Sequence, residues 1–378
     1  MPAATWPRVC AHRLAAHALD RPAAGLVDVV RAICGVHAQV ASAAELSIGI
    51  RVAGITRDDV RDALWQQRSL VRTYGPRGTV HLLPADELGM WLAALATAPR
   101  AEPRIPPEVG MNDDQLAAVL DAIGTALAGR DALTWRELGD EVVRRTGRWA
   151  GEEVFPAFGE LWPRWRPAIS TAASRGLLCF GPNRGNQVTY LRPDRWLGGF
   201  AMPDDGRAAL ATVALRYLTA YGPATAADLA RWLGILPDAA AALFETLDLT
   251  KVDVEGHPAW LPSGVDLPAA KPRGVRLLPH FDAYVIGCQP RARVFPGAAA
   301  ERALSRGSAG QVPVLLVDGV VAGTWQHRRS GRRVQLTVEP FGAFRRRREL
   351  DRQAERMAEI MQATLDLAVG PVAARPHR

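Results

Sequence analysis

The sequence has little lysine, few cysteines and no long apolar run. Two of its 46 Lys and Arg residues are lysines, Lys251 and Lys271, and the rest are arginines. No apolar run approaches the roughly 18 residues that a membrane span requires, so we expect no transmembrane segment. The first residues also lack the charged and then apolar order of a secretory signal. These absences favour a cytoplasmic protein with no membrane partner.

The four cysteines are scattered at Cys10, Cys34, Cys179 and Cys288. No CxxC pair or His/Cys cluster is present, so the sequence supports neither a zinc site nor an iron–sulfur site. Each cysteine has apolar neighbours, which is typical of a reduced core residue. The chain also lacks a Walker loop, a GxSxG elbow and an HExxH motif. We therefore expect no metal and no cofactor.

Composition describes a globular protein with an excess of positive charge. At 378 residues, with 48% hydrophobic and 22% charged residues, the chain is long enough for two to four subdomains. Its net charge of +7 favours a polyanionic partner such as nucleic acid. A basic but otherwise ordinary enzyme is the alternative that composition leaves open.

The N-terminal third has the element order of a winged helix. A helix is predicted to begin at Thr56, because a hydroxyl is followed three residues later by the Asp59 carboxylate. Two β-type runs, 70–74 and 79–83, flank a Gly/Pro turn and predict a hairpin. Helices followed by such a hairpin are typical of a helix-turn-helix variant with a β wing.

The same order recurs twice along the chain. In the second round Thr134 and Glu137 form a capping-box pattern, 162–175 is predicted as a helix, and 177–180 and 188–191 as a wing. A third round begins near residue 207 and includes a helix start at Thr225. The predicted class is α+β, with three tandem winged-helix units over 1–100, 101–200 and 201–265.

Residues 266–378 are predicted to form a separate, β-rich domain. The segments 275–287, 314–321 and 334–338 are strand-like, and Asp318-Gly319 is a hairpin turn signal. Residues 349–367 are predicted to form a closing helix. We expect a small β-barrel or curled sheet that ends in this helix.

A cluster of arginines marks the turn of the predicted hairpin in this last domain. Such a ribbon can clamp phosphates, although a solvated charged loop is the simpler alternative. The candidate DNA contacts there are Trp325, Gln326, His327, Arg328, Arg329, Arg332 and Arg333. The first wing offers further candidates with either a backbone-contact or a purely structural role, namely Arg72, Arg77, Thr79 and His81.

Two polar residues, His37 and Gln39, interrupt an apolar run, and they either satisfy a structural need or face a ligand. In an α-helix, residues two apart lie about 200° apart around the axis, whereas in an extended segment they point the same way. Gly35 indicates that the preceding helix ends before them. We predict that both side chains project into one pocket. His280 and Asp282, also two apart, either line that cleft or form an ordinary surface pair.

Three segments together resemble the winged-helix DNA glycosylases of the AlkZ/YcaQ type. His37-Ala38-Gln39 matches the family's Gln-x-Gln or Gln-x-Asp signature, with histidine in the first position as in its His-x-Gln variants. Leu278-Pro279-His280-Phe281-Asp282 is similar to a Leu-Pro-Arg-Phe-Asp segment, and Arg77-Gly78-Thr79-Val80-His81 to an Arg-Gly-Thr-hydrophobic-His motif. The resemblance implies removal of alkylated bases, including the crosslinked and bulky guanine adducts of bacterial genotoxic antibiotics. His-x-Gln variants imply bulky, intercalating N7-guanine adducts.

The chemistry expected from this resemblance is hydrolysis of the N-glycosidic bond of N7-alkylguanine. Gln39 is expected to position the water, and His37 to position or deprotonate it. With no lysine near the motif, we expect a monofunctional glycosylase without a Schiff-base intermediate. The expected partner is double-stranded DNA carrying alkylated guanine, bound by a monomer in the nucleoid. The role would be base-excision repair or antibiotic self-resistance.

Two other functional classes remain open at this point. A non-catalytic winged-helix DNA-binding protein, such as a transcriptional regulator, usually dimerises and reads a palindrome. Three different units on one chain suit a clamp around one lesion better. A winged-helix scaffold without a nucleic-acid role would bind duplex DNA without salt dependence or not at all.

Overall fold

The computed structural model describes residues 3–101, 105–106, 108–129, 131–157 and 159–373. The chain divides into two compact units. The terminal unit comprises Met1–Ala63, Ala211–Leu233 and Pro237–Arg378. The middle unit comprises Leu64–Leu210 and Gly234–Leu236. The division into four consecutive segments stays a prediction.

The α-helices of the described chain are α1 (Trp6–Ala16), α2 (Leu26–Ala32), α3 (Ala41–Gly49), α4 (Arg57–Trp65), α5 (Leu88–Thr97), α6 (Asp113–Ala128), α7 (Trp135–Thr146), α8 (Ala168–Ser174), α9 (Pro193–Leu197), α10 (Gly206–Tyr221), α11 (Ala226–Leu233), α12 (Pro237–Thr246), α13 (Ala283–Gly287), α14 (Arg291–Val294), α15 (Ala298–Arg302) and α16 (Arg347–Ile360). None of these helices has the length and apolar character needed to cross a membrane.

The strands are β1 (Ala3–Ala4), β2 (Val36–His37), β3 (Leu70–Tyr74), β4 (Val80–Pro84), β5 (Leu133–Thr134), β6 (Glu153–Ala157), β7 (Glu160–Pro163), β8 (Cys179–Arg184), β9 (Gln187–Leu191), β10 (Leu249–Val254), β11 (His257–Pro262), β12 (Val275–Leu278), β13 (Val314–Val317), β14 (Val320–Ser330), β15 (Arg333–Pro340) and β16 (Thr364–Val369).

The predicted helix starts are confirmed by hydrogen bonds across three residues. The Thr134 hydroxyl accepts from the Glu137 N–H at 3.3 Å, and the Thr134 N–H donates to the Glu137 carboxylate at 2.7 Å. The Thr56 N–H likewise donates to the Asp59 carboxylate at 2.7 Å. These side chains satisfy N–H groups that lack a partner within the helix.

The middle unit contains the two predicted wing hairpins, β3–β4 and β8–β9. Their turns use left-handed backbone at Arg77, with φ 58°, and at Gly185, with φ 62°. The helix predicted over 162–175 is wrong in its first half, where β7 pairs with β6 and α8 begins only at Ala168. Pro163 explains this, because proline removes a backbone donor and disfavours helix in the residue before it.

Helices and hairpins follow one another in the order that a winged helix requires. This order is present through α2, α3, α4 and β3–β4, and again through α6, α7, α8 and β8–β9. The antiparallel hairpin β10–β11 follows α10, α11 and α12 in the third round. The assignment of three winged-helix units stays a prediction that this order supports.

The terminal unit holds a five-stranded sheet in the order β12-β13-β14-β15-β16. The predicted Asp318-Gly319 turn joins β13 to β14, with φ 50° and 84° at its two residues. Strands β12 and β16 form the two edges, so the sheet is open and a barrel is not confirmed.

The predicted closing helix is shorter than expected. Helix α16 ends at Ile360, and β16 then pairs in parallel with β15. Leu365 and Leu367 alternate with polar neighbours in β16, a period of two that favours a strand. Gly49 of α3 lies close to α16, because a Cβ there would sit 2.7 Å from the Ile360 side chain. Close packing at Gly49 therefore joins the N-terminal helices of this unit to α16.

The strand predicted over 275–287 is also shorter. Strand β12 ends at Leu278, and the Asp282 carboxylate caps α13 by accepting from the Tyr284 N–H at 3.0 Å. Phe281, with φ 57°, turns the chain between the two elements. His280 and Asp282 therefore lie in a turn rather than on one face of a strand.

Candidate active site

The helix before the candidate catalytic pair ends where the glycine predicted it would. Helix α2 stops at Ala32, and Cys34 and Gly35 then adopt positive φ of 61° and 91°. The Gly35 N–H donates to the Val30 carbonyl at 2.8 Å, which closes the helix end. His37 follows in the extended strand β2, so the prediction of a non-helical segment is confirmed.

His37 and Gln39 differ in their exposure to solvent. His37 is buried, with 8% of its surface exposed, whereas Gln39 is exposed. Val40, which follows, is the extended N-cap of α3. The segment therefore passes from the core to the surface within three residues. That both side chains share one pocket stays a prediction.

Phe281 holds one face of the His37 imidazole. The two rings stack with centroids 4.6 Å apart and an angle of 22° between their planes. The Phe281 N–H donates to the Gly310 carbonyl at 2.8 Å, and the His280 Nδ1 lies 3.0 Å from the Gln311 carbonyl. Phe281 belongs to the Leu278-Pro279-His280-Phe281-Asp282 segment, but the motif alone predicts no role for it. Its position between the candidate residues His280 and Asp282 was the one sequence feature that indicated a place near the site.

Asp282 is a buried structural residue, which corrects its placement in the cleft. Its two oxygens each accept from the Arg51 guanidinium at 2.7 Å, and neither side chain has any exposed surface. The Ser47 hydroxyl also donates to Asp282 at 2.7 Å. These contacts join the end of α3 to the turn that carries Phe281. Arg51 was not predicted as a site residue, although its charge directly follows an apolar run.

Glu45 is a second buried carboxylate on α3. It accepts from the Arg61 guanidinium at 2.7 and 3.2 Å. Burial raises the pKa of Glu45, and the hydrogen bond from Arg61 opposes this shift. Arg57, at the start of α4, has its pKa lowered by burial and by the charges of Arg61 and Arg329. Arg329 of the basic hairpin therefore lies near enough to the start of α4 for its charge to act on Arg57, where the Glu45 and Asp58 carboxylates oppose it.

The turn of the basic hairpin is exposed, as the sequence predicted. Residues 327–333 are all exposed, and Ser330 pairs with Arg333 across a turn formed by Gly331 and Arg332. Arg329 donates to the Gly331 carbonyl at 3.0 Å and to the Met361 carbonyl at 3.1 Å, so it also fixes the turn. Arg328 and Arg332 present charge to solvent without those contacts.

Two residues before the turn, Trp325 and Gln326, are less accessible than expected. Trp325 is 1% exposed, and its indole N–H donates to the Leu278 carbonyl at 2.8 Å. It is a core residue of the sheet, and burial excludes it as a DNA contact. Gln326 is partly buried.

The candidate contacts on the first wing have partners within the middle unit. The Arg72 guanidinium lies 4.7 Å from the Phe180 ring centroid, and burial lowers its pKa. His81 is 5% exposed with Nδ1 2.8 Å from the Thr79 carbonyl, and the Thr79 hydroxyl donates to Pro76 at 3.0 Å. These contacts favour the structural alternative. Arg77 is partly exposed in the turn.

Ligands for a metal ion are not assembled in the part of the chain that the structure describes. No group of three or more His, Cys, Asp or Glu side chains could hold one there. All four cysteines are buried. Burial raises the pKa of Cys10 to about 12 and that of Cys288 to about 11, so both are poor nucleophiles.

Comparisons with known proteins identify the family. A family model described as DNA glycosylase AlkZ-like matches residues 30–360. The interstrand DNA cross-link repair glycosylase of Streptomyces sahachiroi is 34% identical over 342 residues, which cover 85% of this chain and 88% of that protein. The solved structure of Streptomyces sahachiroi DNA glycosylase AlkZ matches with a TM-score of 0.80 at 30% identity, covering 97% of this chain and all of that one.

The match to the family runs from before His37 to beyond the basic hairpin. It therefore includes both the candidate catalytic segment and the arginine-rich turn. The match to an enzyme family favours a glycosylase over the two alternative classes, a non-catalytic regulator and a scaffold without a nucleic-acid role. The chain belongs to the AlkZ-like DNA glycosylase family, hydrolases that act on N-glycosyl bonds in DNA.

Proposed function

We propose that this enzyme excises N7-alkylguanine, including bulky or crosslinked genotoxin adducts, from double-stranded DNA. The Streptomyces sahachiroi relative is named for repair of interstrand cross-links, and we extend that activity to this chain. The observation that carries the proposal is the non-helical His37-Ala38-Gln39 segment between α2 and α3, with His37 stacked on Phe281. The cellular role would be base-excision repair in the nucleoid or self-resistance to an antibiotic.

The leaving group explains why neutral side chains suffice. Alkylation at N7 makes guanine cationic, so the base departs without a strong acid to protonate it. The bond between N9 and C1′ breaks with its electron pair going to the base, and an oxocarbenium-like sugar develops. The enzyme must then place a water on the opposite face of C1′ and remove its proton.

His37 and Gln39 differ in exposure, and each suits a different part of placing and deprotonating the water. The exposed Gln39 amide carbonyl can accept a hydrogen bond from the attacking water and orient it. The imidazole of His37 can accept the water's proton or hold the water in position. Phe281 covers one face of His37 and so fixes the plane in which its nitrogens point.

The position of the lysines favours monofunctional hydrolysis. Lys251 lies on β10, with its ammonium 5.7 Å from the Trp260 ring, and Lys271 is exposed in the segment before β12. Neither lies within the segments that build the candidate site. We therefore expect an abasic site in an intact strand as the product, without a Schiff-base intermediate.

The exposed arginines of the basic hairpin would contact the DNA backbone. Arg328, Arg332 and Arg333 lie at the tip of a two-stranded ribbon, where guanidinium groups can form bidentate contacts with phosphates. Binding of this kind requires no second copy of the chain, and we propose that the enzyme acts as a monomer.

Single-turnover base release tests the catalytic assignment. Duplexes carrying N7-methylguanine, an N7 crosslink or a bulky intercalated N7 adduct are mixed with excess enzyme, and the freed base is quantified. Replacement of His37 or Gln39 by alanine should lower the rate on the preferred adduct by about 10² or more. Gln66→Ala, which removes another exposed amide, is the control and should leave the rate unchanged.

Two results would refute the proposal. One is an unchanged rate in the His37→Ala and Gln39→Ala variants, singly and together. The other is release of no N7-alkylguanine by the unmodified enzyme. Borohydride trapping checks the monofunctional assignment, because it should leave no covalent protein–DNA adduct.

A further inference from the structure

We propose that the middle unit carries a second phosphate-binding site for duplex DNA, distinct from the basic hairpin. A groove of about 910 Å³ lies beside the β8–β9 hairpin and α9. Arg68, Arg184, Arg192 and Arg195 line it, and Asp131 is the one carboxylate among the described lining residues. Two further carboxylates, Glu137 and Asp194, pair with Arg184 and Arg192. The proposal rests on the family's action on DNA and does not depend on which adduct is excised.

Two of these arginines are held in place by carboxylates. Arg184 contacts Glu137 at 2.8 Å and also donates to the Ala132 carbonyl at 2.6 Å. Arg192 contacts Asp194 at 2.9 Å. A guanidinium has five N–H donors, so these contacts fix its position and leave other donors for a phosphate.

The other two arginines carry the uncompensated charge. The exposed Arg68 guanidinium lies 4.1 Å from the Trp196 ring centroid and donates to the Trp196 carbonyl at 3.0 Å. Arg195 is exposed, and no ion pair engages its guanidinium within the described part of the chain. Trp196 also packs against Trp65, with ring centroids 6.5 Å apart, so the surface that supports Arg68 is anchored.

The lining of the groove favours a phosphodiester chain over a small apolar ligand. Small-molecule sites are mostly apolar and enclosed. This groove has apolar lining from Leu133, Pro182 and Leu191, but it adds four guanidiniums, the Asn183 amide at the hairpin turn and one indole ring. Arg72 of the first wing is engaged with Phe180, so the groove offers more accessible charge on this unit than that wing does.

Salt-dependent binding to an undamaged duplex tests the site. The variants are Arg195→Ala, Arg68→Gln and the pair, with Arg207→Ala as the control, because Arg207 is an exposed arginine of the same unit outside the groove. Each groove variant should weaken binding severalfold, and each lost phosphate contact should reduce the slope of log K against log salt by about 1. Arg207→Ala should do neither.

The charge-preserving variant Arg195→Lys should retain most of the affinity. The site is refuted if Arg195→Ala binds like Arg207→Ala, or if Arg195→Lys loses as much affinity as Arg195→Ala. Because Arg195 is exposed, thermal unfolding of its variants should match that of the unmodified protein. Base release at saturating enzyme should also be unchanged. If the unmodified enzyme released no N7-alkylguanine, the proposed substrate would fail while these measurements on undamaged DNA still decided the groove.

Discussion

Replacing Arg51 with methionine should destabilise the terminal unit by several kcal/mol. The Arg51 guanidinium donates to both Asp282 oxygens at 2.7 Å and to the Ser47 carbonyl at 2.7 Å, with no exposed surface on either charged side chain. Methionine is similar in length and apolar, so the main loss is the charge and its hydrogen bonds.

The size of the expected loss of stability follows from the hydrogen-bond donors that remain to Asp282 in this variant. Without Arg51, the buried carboxylate retains two donors among the described residues, the Ser47 hydroxyl and the Tyr284 N–H. An uncompensated charge of this kind typically costs about 3–5 kcal/mol. For a unit of this size, that corresponds to a fall in melting temperature of roughly 10 °C.

Unfolding in urea and by heat measures the loss, and a double-mutant cycle assigns it. Asp282→Leu should also destabilise the protein, whereas the Arg51→Met, Asp282→Leu double variant should lose clearly less than the sum of the two. The control is Arg347→Met, which breaks an exposed ion pair with Asp351 at 2.7 Å and should cost less than about 1 kcal/mol.

Two outcomes would refute this reasoning about the buried pair. One is a loss below about 1 kcal/mol in Arg51→Met, and the other is simple additivity of the two single substitutions. Because Asp282 adjoins Phe281, base release by folded Arg51→Met should also fall. A normal rate would show that the pair is unrelated to the site.

Three further predictions follow from other contacts. Phe281→Leu should slow base release roughly three- to ten-fold by removing the stack on His37, and single-turnover kinetics should show no change in DNA affinity. Arg332→Ala with Arg333→Ala should weaken DNA binding and reduce the salt slope by about 1 to 2, and titrations at several salt concentrations measure this. Burial raises the pKa of Cys10 to about 12, and all four cysteines are buried, so Ellman's reagent at mildly alkaline pH should react with the native protein only after denaturation.

Local features of the fold could be predicted from the sequence. The end of α2 near Gly35, the Thr134–Glu137 cap and the Asp318-Gly319 hairpin each depend on a few neighbouring residues. Such signals are contained in the residues themselves, through left-handed backbone, side-chain capping and turn geometry.

The interior of the site could not be predicted in the same way. Asp282 lies 231 residues from Arg51, and a short motif does not show which distant charge it meets. A strand over 275–287 would place Asp282 in a cleft or in a surface pair, whereas its carboxylate caps a helix and neutralises a buried guanidinium. Trp325 was misplaced for the same reason, because a sequence beside a basic turn does not show how deep in the sheet each position lies.

The contact between His37 and Phe281 suggests what histidine contributes at the first position of the signature that this segment resembles, where glutamine is usual. The His37 imidazole stacks on the Phe281 ring, and a glutamine side chain would replace this ring–ring contact with an amide, so exchange of the residue alters packing as well as hydrogen bonding. His37→Gln changes both at once, while Phe281→Leu removes the stack and keeps the imidazole. If the proposed preference for bulky adducts depends on the stack, both variants should lose it to a similar degree. If it depends on the imidazole nitrogens, Phe281→Leu should lower the rate on every adduct alike and preserve the preference, and only His37→Gln should change it.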